Sequence, residues 1–235
     1  MTIPDRVAEV RGRIKQAAVS GGRDASDVRL IAVSKTWSPE AVRAAAEAGV
    51  TDFGENKAQE LAHKLAAVGD LGTWHFVGAL QTNKARSVVG KVALIHSVDR
   101  IEVAEAISRR AERSGLSQPV LVQVNVAREP GKHGIDPDEA VDFAEGIAAL
   151  EGVELRGLMT LPPFGRDPES SRPWFKKLAD LGAVLRDGLP GATELSMGMS
   201  RDFEIAVQEG ATMVRVGEAV FGARAPHDRD GPPKG

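Results

Sequence analysis

Short, nearly continuous apolar runs alternate along this chain with segments that carry helix-start signals. Runs of that kind suit parallel strands buried on both faces. The expected strands are residues 30–34, 52–54, 75–80, 94–98, 120–125, 155–161, 194–197 and 213–217. An opening helix is expected over 4–18, ended by Ser20-Gly21-Gly22. Ser38-Pro39-Glu40 places a cap before a proline at the first helical position, and Asp136-Pro137-Asp138-Glu139 is read as a second such start. Asp99 is read as the cap of a helix over 100–114, with Ile101, Ala104, Ile107 and Ala111 on its buried face.

About eight strands, each followed by a helix, predict an α/β fold: a single (β/α)8 TIM barrel with an extra N-terminal helix, spanning residues 1–225. A doubly wound open sheet is the alternative, but no Gly-rich turn follows the first strand. The polar, proline-rich residues 226–235 are expected to be a disordered tail. The chain has 235 residues, 42% of them hydrophobic, which suffices for one core.

Several function classes fall away on composition. The net charge of -3 argues against nucleic acid as a partner. With no cysteine, disulfides, thiolate metal sites and a Cys nucleophile are excluded, which fits a cytoplasmic protein. The start of the chain lacks the apolar core of a signal peptide. No apolar stretch approaches the roughly 20 residues that span a membrane. The five histidines show no metal-ligand spacing, so no metal is expected. Trp74 is expected in the core, His75 toward the barrel's stability face, and Lys84 and Arg86 on a solvated helix face.

The active site of such a barrel lies at the carboxyl ends of its strands. Those ends carry Lys35, Glu55-Asn56, Gln81-Thr82-Asn83, Asn125, Met199-Ser200 and Arg215-Val216-Gly217. A lysine there can form a Schiff base with a carbonyl. After strand seven, Gly198 permits a tight turn and Ser200 is placed where a helix begins. After strand eight, Gly217 lets backbone N–H groups approach an anion. Two adjacent turns at these places match the usual barrel phosphate site. Lysine and phosphate cradle together suggest pyridoxal 5′-phosphate (PLP), while a Schiff-base aldolase acting on a sugar phosphate would use the same parts. Arg215 is the candidate for the group facing a pyridine nitrogen. No Gly-x-Ser-x-Gly elbow or Walker-type loop is present.

The ordered segments Ala32-Val33-Ser34-Lys35-Thr36, Phe53-Gly54-Glu55-Asn56, Trp74-His75-Phe76-Val77-Gly78, Leu80-Gln81-Thr82-Asn83-Lys84, Lys132-His133-Gly134, Arg156-Gly157-Leu158-Met159, Leu195-Ser196-Met197-Gly198-Met199-Ser200 and Met213-Val214-Arg215-Val216-Gly217 through Arg224 resemble the pyridoxal phosphate homeostasis proteins. These look like the N-terminal barrel domain of alanine racemase. The likeness runs from the first helix to Arg224, with Ala79 standing where relatives more often have proline or histidine. It implies that Lys35 holds PLP as a Schiff base and that Asn56 lies near the ring and its 3-hydroxyl. Ser200 and the backbone at Gly217 and Glu218 would hold the phosphate, and Arg215 would face the ring nitrogen.

The resemblance also bears on catalysis. Alanine racemase-like chemistry uses a lysine on one face of the substrate and a tyrosine from a second domain on the other. This chain has no tyrosine, and no second domain is expected after Arg224. An arginine at the ring nitrogen can only donate, which disfavours a protonated pyridinium and weakens the electron sink. The expectation is therefore a non-enzymatic PLP-binding protein of intracellular vitamin B6 homeostasis. It is expected to be a monomer and to pass PLP to apo-enzymes. A weak PLP-dependent amino-acid racemase, with His133 as the conceivable second base, and a PLP-free aldolase are the alternatives.

Overall fold

The computed structural model describes residues 1–223; the expected tail, and Arg224 with it, lie outside the described residues. Eight parallel strands close into one barrel in sequence order. They are β1 (Arg29–Val33), β2 (Asp52–Glu55), β3 (Thr73–Phe76), β4 (Leu94–Val98), β5 (Gln118–Val124), β6 (Val153–Thr160), β7 (Glu194–Ser196) and β8 (Met213–Val216). Closure is made by β1 and β8, with Ile31 opposite Arg215 and Ala32 opposite Val216. This is the expected barrel, and the open sheet is excluded.

The helices are α1 (Ile3–Ser20), α2 (Pro39–Glu47), α3 (Ala58–Val68), α4 (Ala85–Val88), α5 (Ile101–Arg113), α6 (Ala140–Ala148), α7 (Arg172–Gly188), α8 (Phe203–Gln208) and α9 (Glu218–Phe221). The extra helix α1 starts in a capping box between Thr2 and Asp5. Arg13 ties it to α8, donating to Glu204 at 2.6 Å and lying 4.6 Å from the centre of the Phe203 ring. Ser38 caps α2 as expected, accepting from the Ala41 N–H.

Strand alternation divides the core in two. Side chains such as Ala32, Phe53, Ile95, Val122, Leu158 and Val214 pack outward against the helices. A separate apolar cluster of Ile31, Leu94, Leu121, Met159 and Met213 fills the barrel itself. Each fully buried side chain of this size contributes about 1.5–3 kcal/mol relative to exposure.

Several local expectations are corrected. Strand β3 spans Thr73–Phe76 and does not run on to Leu80; beyond it Gly78 packs against the backbone of Asn56. Asp99 does not cap α5; its carboxylate instead accepts from Arg100 at 2.8 Å and meets the His133 ring at 2.7 Å. Ile101 is exposed, and the buried face of α5 runs through Val103, Ala104, Ile107 and Ala111. Pro137 precedes α6 in a turn where Asp136 accepts from the Asp138 N–H and pairs with Arg128, so α6 begins only at Ala140. No helix among the described residues is long and apolar enough to cross a membrane.

Candidate functional site

Lys35 leaves β1 at the carboxyl end of the barrel. The Ser34 N–H still donates to the Gly54 carbonyl, which prolongs the ladder by one residue. A Cβ on Gly54 would touch both Ile31 and Val33, so these two share the inner side, and the same alternation carries Lys35 there. The chain then turns sharply. Trp37 N–H donates to Ser34 O, and Thr36 sits at φ 69°, a left-handed conformation costly for a β-branched residue. The Glu60 carboxylate holds that turn by accepting from the Thr36 N–H at 2.9 Å.

Ser34 and Glu55 face outward, under α3. Lys64 of α3 donates to the Ser34 carbonyl and to Glu55 Oε1, and the Ser34 hydroxyl donates to the same carboxylate oxygen at 2.8 Å. Glu55 and Lys64 are both buried. Burial pushes the Glu55 carboxyl above its ordinary value, and the charge of Lys64 opposes this only in part. Glu55, expected at the mouth, therefore belongs to the support behind Lys35.

Asn56 follows β2 on the inner side. Its Oδ1 is buried and has no protein partner among the described residues. Gly78 presses on it so closely that a Cβ there would lie 2.2 Å from the Asn56 carbonyl oxygen.

The turns after β7 and β8 interlock. Gly198 takes φ 89°, and a Cβ on it would lie 2.5 Å from that of Ala206. Its carbonyl accepts from the Arg215 N–H, and Ser200 Oγ accepts from the Ala219 N–H at 3.3 Å. Ser200 does not stand where a helix begins, as the sequence suggested. Helix α8 begins at Phe203, and Asp202 pins the preceding turn by accepting from the Met199 N–H at 2.7 Å and the Ser171 hydroxyl at 3.0 Å. Gly217 lies against β1, where a Cβ would come within 3.1 Å of the Val33 carbonyl. Glu218 opens α9 beside it and is exposed.

Arg215 is buried inside the barrel. It donates to Ser196 Oγ at 2.5 Å and to the Thr160 carbonyl at 2.8 Å. Burial pushes its pKa down to about 10, so it remains a cation at neutral pH.

Gln81, Thr82 and Asn83 are exposed beyond β3, and Lys84 and Arg86 are exposed near them. Asn125 closes its own loop, exchanging hydrogen bonds with the Glu129 backbone. His133 does reach the rim, where it pairs with Asp99. Trp74 is buried, as expected. Among the described residues no group of three or more His, Asp or Glu is placed to hold a metal. Sequence reasoning missed the buried polar set inside the barrel: Asp52, His75, His96 and Ser196. The one local signal is that each stands at an inward position of its strand; that they meet is set by barrel closure.

The profile of the family described as alanine racemase, N-terminal domain, matches residues 13–225. The chain is 42% identical over 226 residues to the pyridoxal phosphate homeostasis protein of Aquifex aeolicus (strain VF5), spanning 95% of this chain and 99% of that protein. PipY of Synechococcus elongatus PCC7942, solved with PLP bound, superposes with a TM-score of 0.82 at 38% identity, over 94% of this chain and all of PipY (100%). Alanine racemase from Corynebacterium glutamicum superposes with a TM-score of 0.69 over 94% of this chain and 62% of its own, and at 19% identity that likeness is one of fold.

Proposed function

The chain belongs to the pyridoxal phosphate homeostasis protein family, built on the alanine racemase N-terminal domain fold, and we propose that it binds PLP covalently on Lys35 and holds it without turnover. The observation that carries this reading is the contact of Gly217 with the Val33 carbonyl. It sets the phosphate-type turn directly beside the strand that delivers Lys35, and Ser200 locks the second turn to the first.

The residues present fit the cofactor. The orphaned Oδ1 of Asn56 marks a side-chain amide free to hydrogen-bond the ring's 3-hydroxyl side. Ser200 and the backbone of Gly217 and Glu218 suit the phosphate. Arg215, as a donor-only cation, suits an unprotonated ring nitrogen. When bound, PLP supplies an aldehyde that condenses reversibly with an amine, and Lys35 is that amine. An incoming amine can displace Lys35, which gives the protein a route to release its cargo to apo-enzymes.

Holding rather than catalysis is favoured by three features. There is no tyrosine to act as a second base. His133 is engaged with Asp99 at the rim. Arg215 at the ring nitrogen weakens the electron sink. The relatives reported above carry the name of homeostasis proteins. We read residues 1–225 as the PLP-binding domain, acting as a cytoplasmic monomer.

The test is direct. Purified protein incubated with PLP is expected to turn yellow, and borohydride to bleach it and fix the label on Lys35. Lys35→Ala should take no covalent label. A wild type that stays colourless and unlabelled sinks the reading. Racemisation of amino acids at typical enzyme rates, of order 1–1000 per second, and lost in Lys35→Ala, would replace the holding role with an enzymatic one.

A further inference from the structure

The barrel interior carries an unbroken polar path from Arg215 at the mouth to the opposite end. Ser196 Oγ lies 2.8 Å from His96 Nδ1. His96 Nε2 lies 3.0 Å from His75 Nδ1, and His75 Nε2 lies 3.0 Å from Asp52 Oδ1. These residues come from β8, β7, β4, β3 and β2, and all of them are buried. At the far end, Asp52 and His75 line a cleft of about 370 Å³ with Arg29, Arg156 and Glu194.

The direction of every proton follows from two facts: a guanidinium has donors and no acceptor, and a buried hydroxyl proton needs an acceptor. Arg215 donates to Ser196 Oγ, and among the described residues His96 Nδ1 is the other hydrogen-bond partner of that hydroxyl, so the serine's own proton goes to His96 Nδ1. His96 must then carry its single proton on Nε2 and give it to His75 Nδ1. His75 in turn carries its proton on Nε2 and gives it to Asp52. Both rings are neutral in this arrangement. Burial independently holds His96 in the neutral form, with the charge of Arg215 acting in the same sense. The path ends on a carboxylate whose other oxygen accepts from the Thr51 hydroxyl at 2.7 Å, with Arg29 3.9 Å away.

We propose that Asp52, His75, His96 and Ser196 form a one-directional hydrogen-bond relay that positions Arg215 as the donor to the cofactor's ring nitrogen. The proposal rests on the PLP reading of the mouth and adds to it four positioning residues that never touch the cofactor. Two tethers hold the guanidinium, the Thr160 carbonyl and Ser196, and the relay is what keeps Ser196 free to accept. If His96 carried a proton on Nδ1, Ser196 would receive two hydrogen bonds and its own proton would be left without an acceptor.

The first measurement needs no cofactor. Two-bond ¹⁵N–¹H correlation spectra of the full chain at neutral pH, with ring signals assigned through His75→Gln and His96→Asn, should show both histidines protonated on Nε2 alone. A proton on Nδ1 of His96, or an imidazolium there, overturns the relay.

The second measurement compares binding of PLP with that of its deaza analogue, in which C–H replaces the ring nitrogen. His96→Phe is expected to weaken PLP by about tenfold, the scale of one hydrogen bond to a charged group, and to change the analogue by less than about twofold. His96→Asn, whose Oδ1 replaces the acceptor toward Ser196, should recover most of the PLP affinity. Equal weakening of both compounds by His96→Phe would mean a merely structural role and overturn the proposal. A wild type that takes up neither compound is a failure of the cofactor reading, and of Arg215's role with it. That failure is recognisable because the tautomers are read in ligand-free protein.

Discussion

Lys64, reaching in from α3, donates to the Glu55 carboxylate on the outer side of β2, next to the strand that delivers Lys35. The same ammonium also holds the Ser34 carbonyl, one residue before Lys35. The Lys35 strand end is therefore anchored by a buried ion pair rather than by apolar packing alone.

Lys64→Met should leave Glu55 buried and unpaired, and cost about 3–5 kcal/mol at neutral pH. The deficit should depend on pH in a definite sense. Glu55 has a folded-state pKa raised above its unfolded value. Its contribution is thus most favourable below the unfolded pKa and is lost as pH rises through the folded one. Urea unfolding near pH 5 and pH 8 should show the Lys64→Met deficit widening toward pH 8, and Lys64→Met/Glu55→Gln should recover much of it. A deficit independent of pH would discard the buried-carboxylate account.

Gly78→Ala tests the other support of the site. The added Cβ would lie 2.2 Å from the carbonyl oxygen and 2.7 Å from the Cα of Asn56, so backbone must move. We expect a loss of about 1–3 kcal/mol, as for overpacked sites, together with weaker PLP binding as Asn56 is displaced. Lys35 should still take the borohydride-fixed label. Unchanged melting and unchanged PLP titration would show that Asn56 is not held by this contact.

Local signals carried the fold: apolar strand runs, Ser38-Pro39 before α2, and the alternation itself. The strand-end positions of Lys35 and Arg215 and the two glycine turns were legible for the same reason. What the sequence hid depends on distant partners. His75 and His96 are 21 residues apart, and His96 and Ser196 are 100 apart, so only barrel closure makes them neighbours. Glu55 misled because alternation decides whether a strand-end carboxylate faces the mouth or the helices, and the ladder runs on past the apolar run. Asp99 misled because Arg100 and His133 engage its carboxylate before the helix N–H groups can.

Asp52 should make the barrel acid-sensitive. Burial pushes its carboxyl up, but hydrogen bonds from His75 and Thr51 together with the nearby charge of Arg29 outweigh that, and the net shift is below the ordinary value. For a depressed carboxyl, the contribution is present above the unfolded pKa and disappears as pH falls through the folded one. Asp52→Asn should therefore cost about 1–3 kcal/mol at pH 7, and the gap to wild type should narrow below about pH 4. Denaturant curves at pH 7 and pH 3.5 give the comparison, and a gap that grows in acid would contradict the assignment.

The strained turn after Lys35 offers the last test. Thr36 holds φ 69°, where a Cβ costs on the order of 1–2 kcal/mol. Thr36→Gly removes that cost and adds backbone freedom to the unfolded chain, worth roughly 0.4–1 kcal/mol in the other direction. The main-chain bond from residue 36 to Glu60 needs no side chain and survives the change. The balance is a gain of up to about 1.5 kcal/mol in stability. Binding should move the other way, because the turn that Trp37 closes on Ser34 is what confines Lys35, and glycine loosens it. Thr36→Val keeps the branched Cβ and discards the hydroxyl, so it should behave as wild type in PLP titrations. If Thr36→Gly gained stability and kept full PLP affinity, the strain would be incidental to the site. If Thr36→Val lost affinity as glycine does, the hydroxyl rather than the backbone would be the working part of the turn.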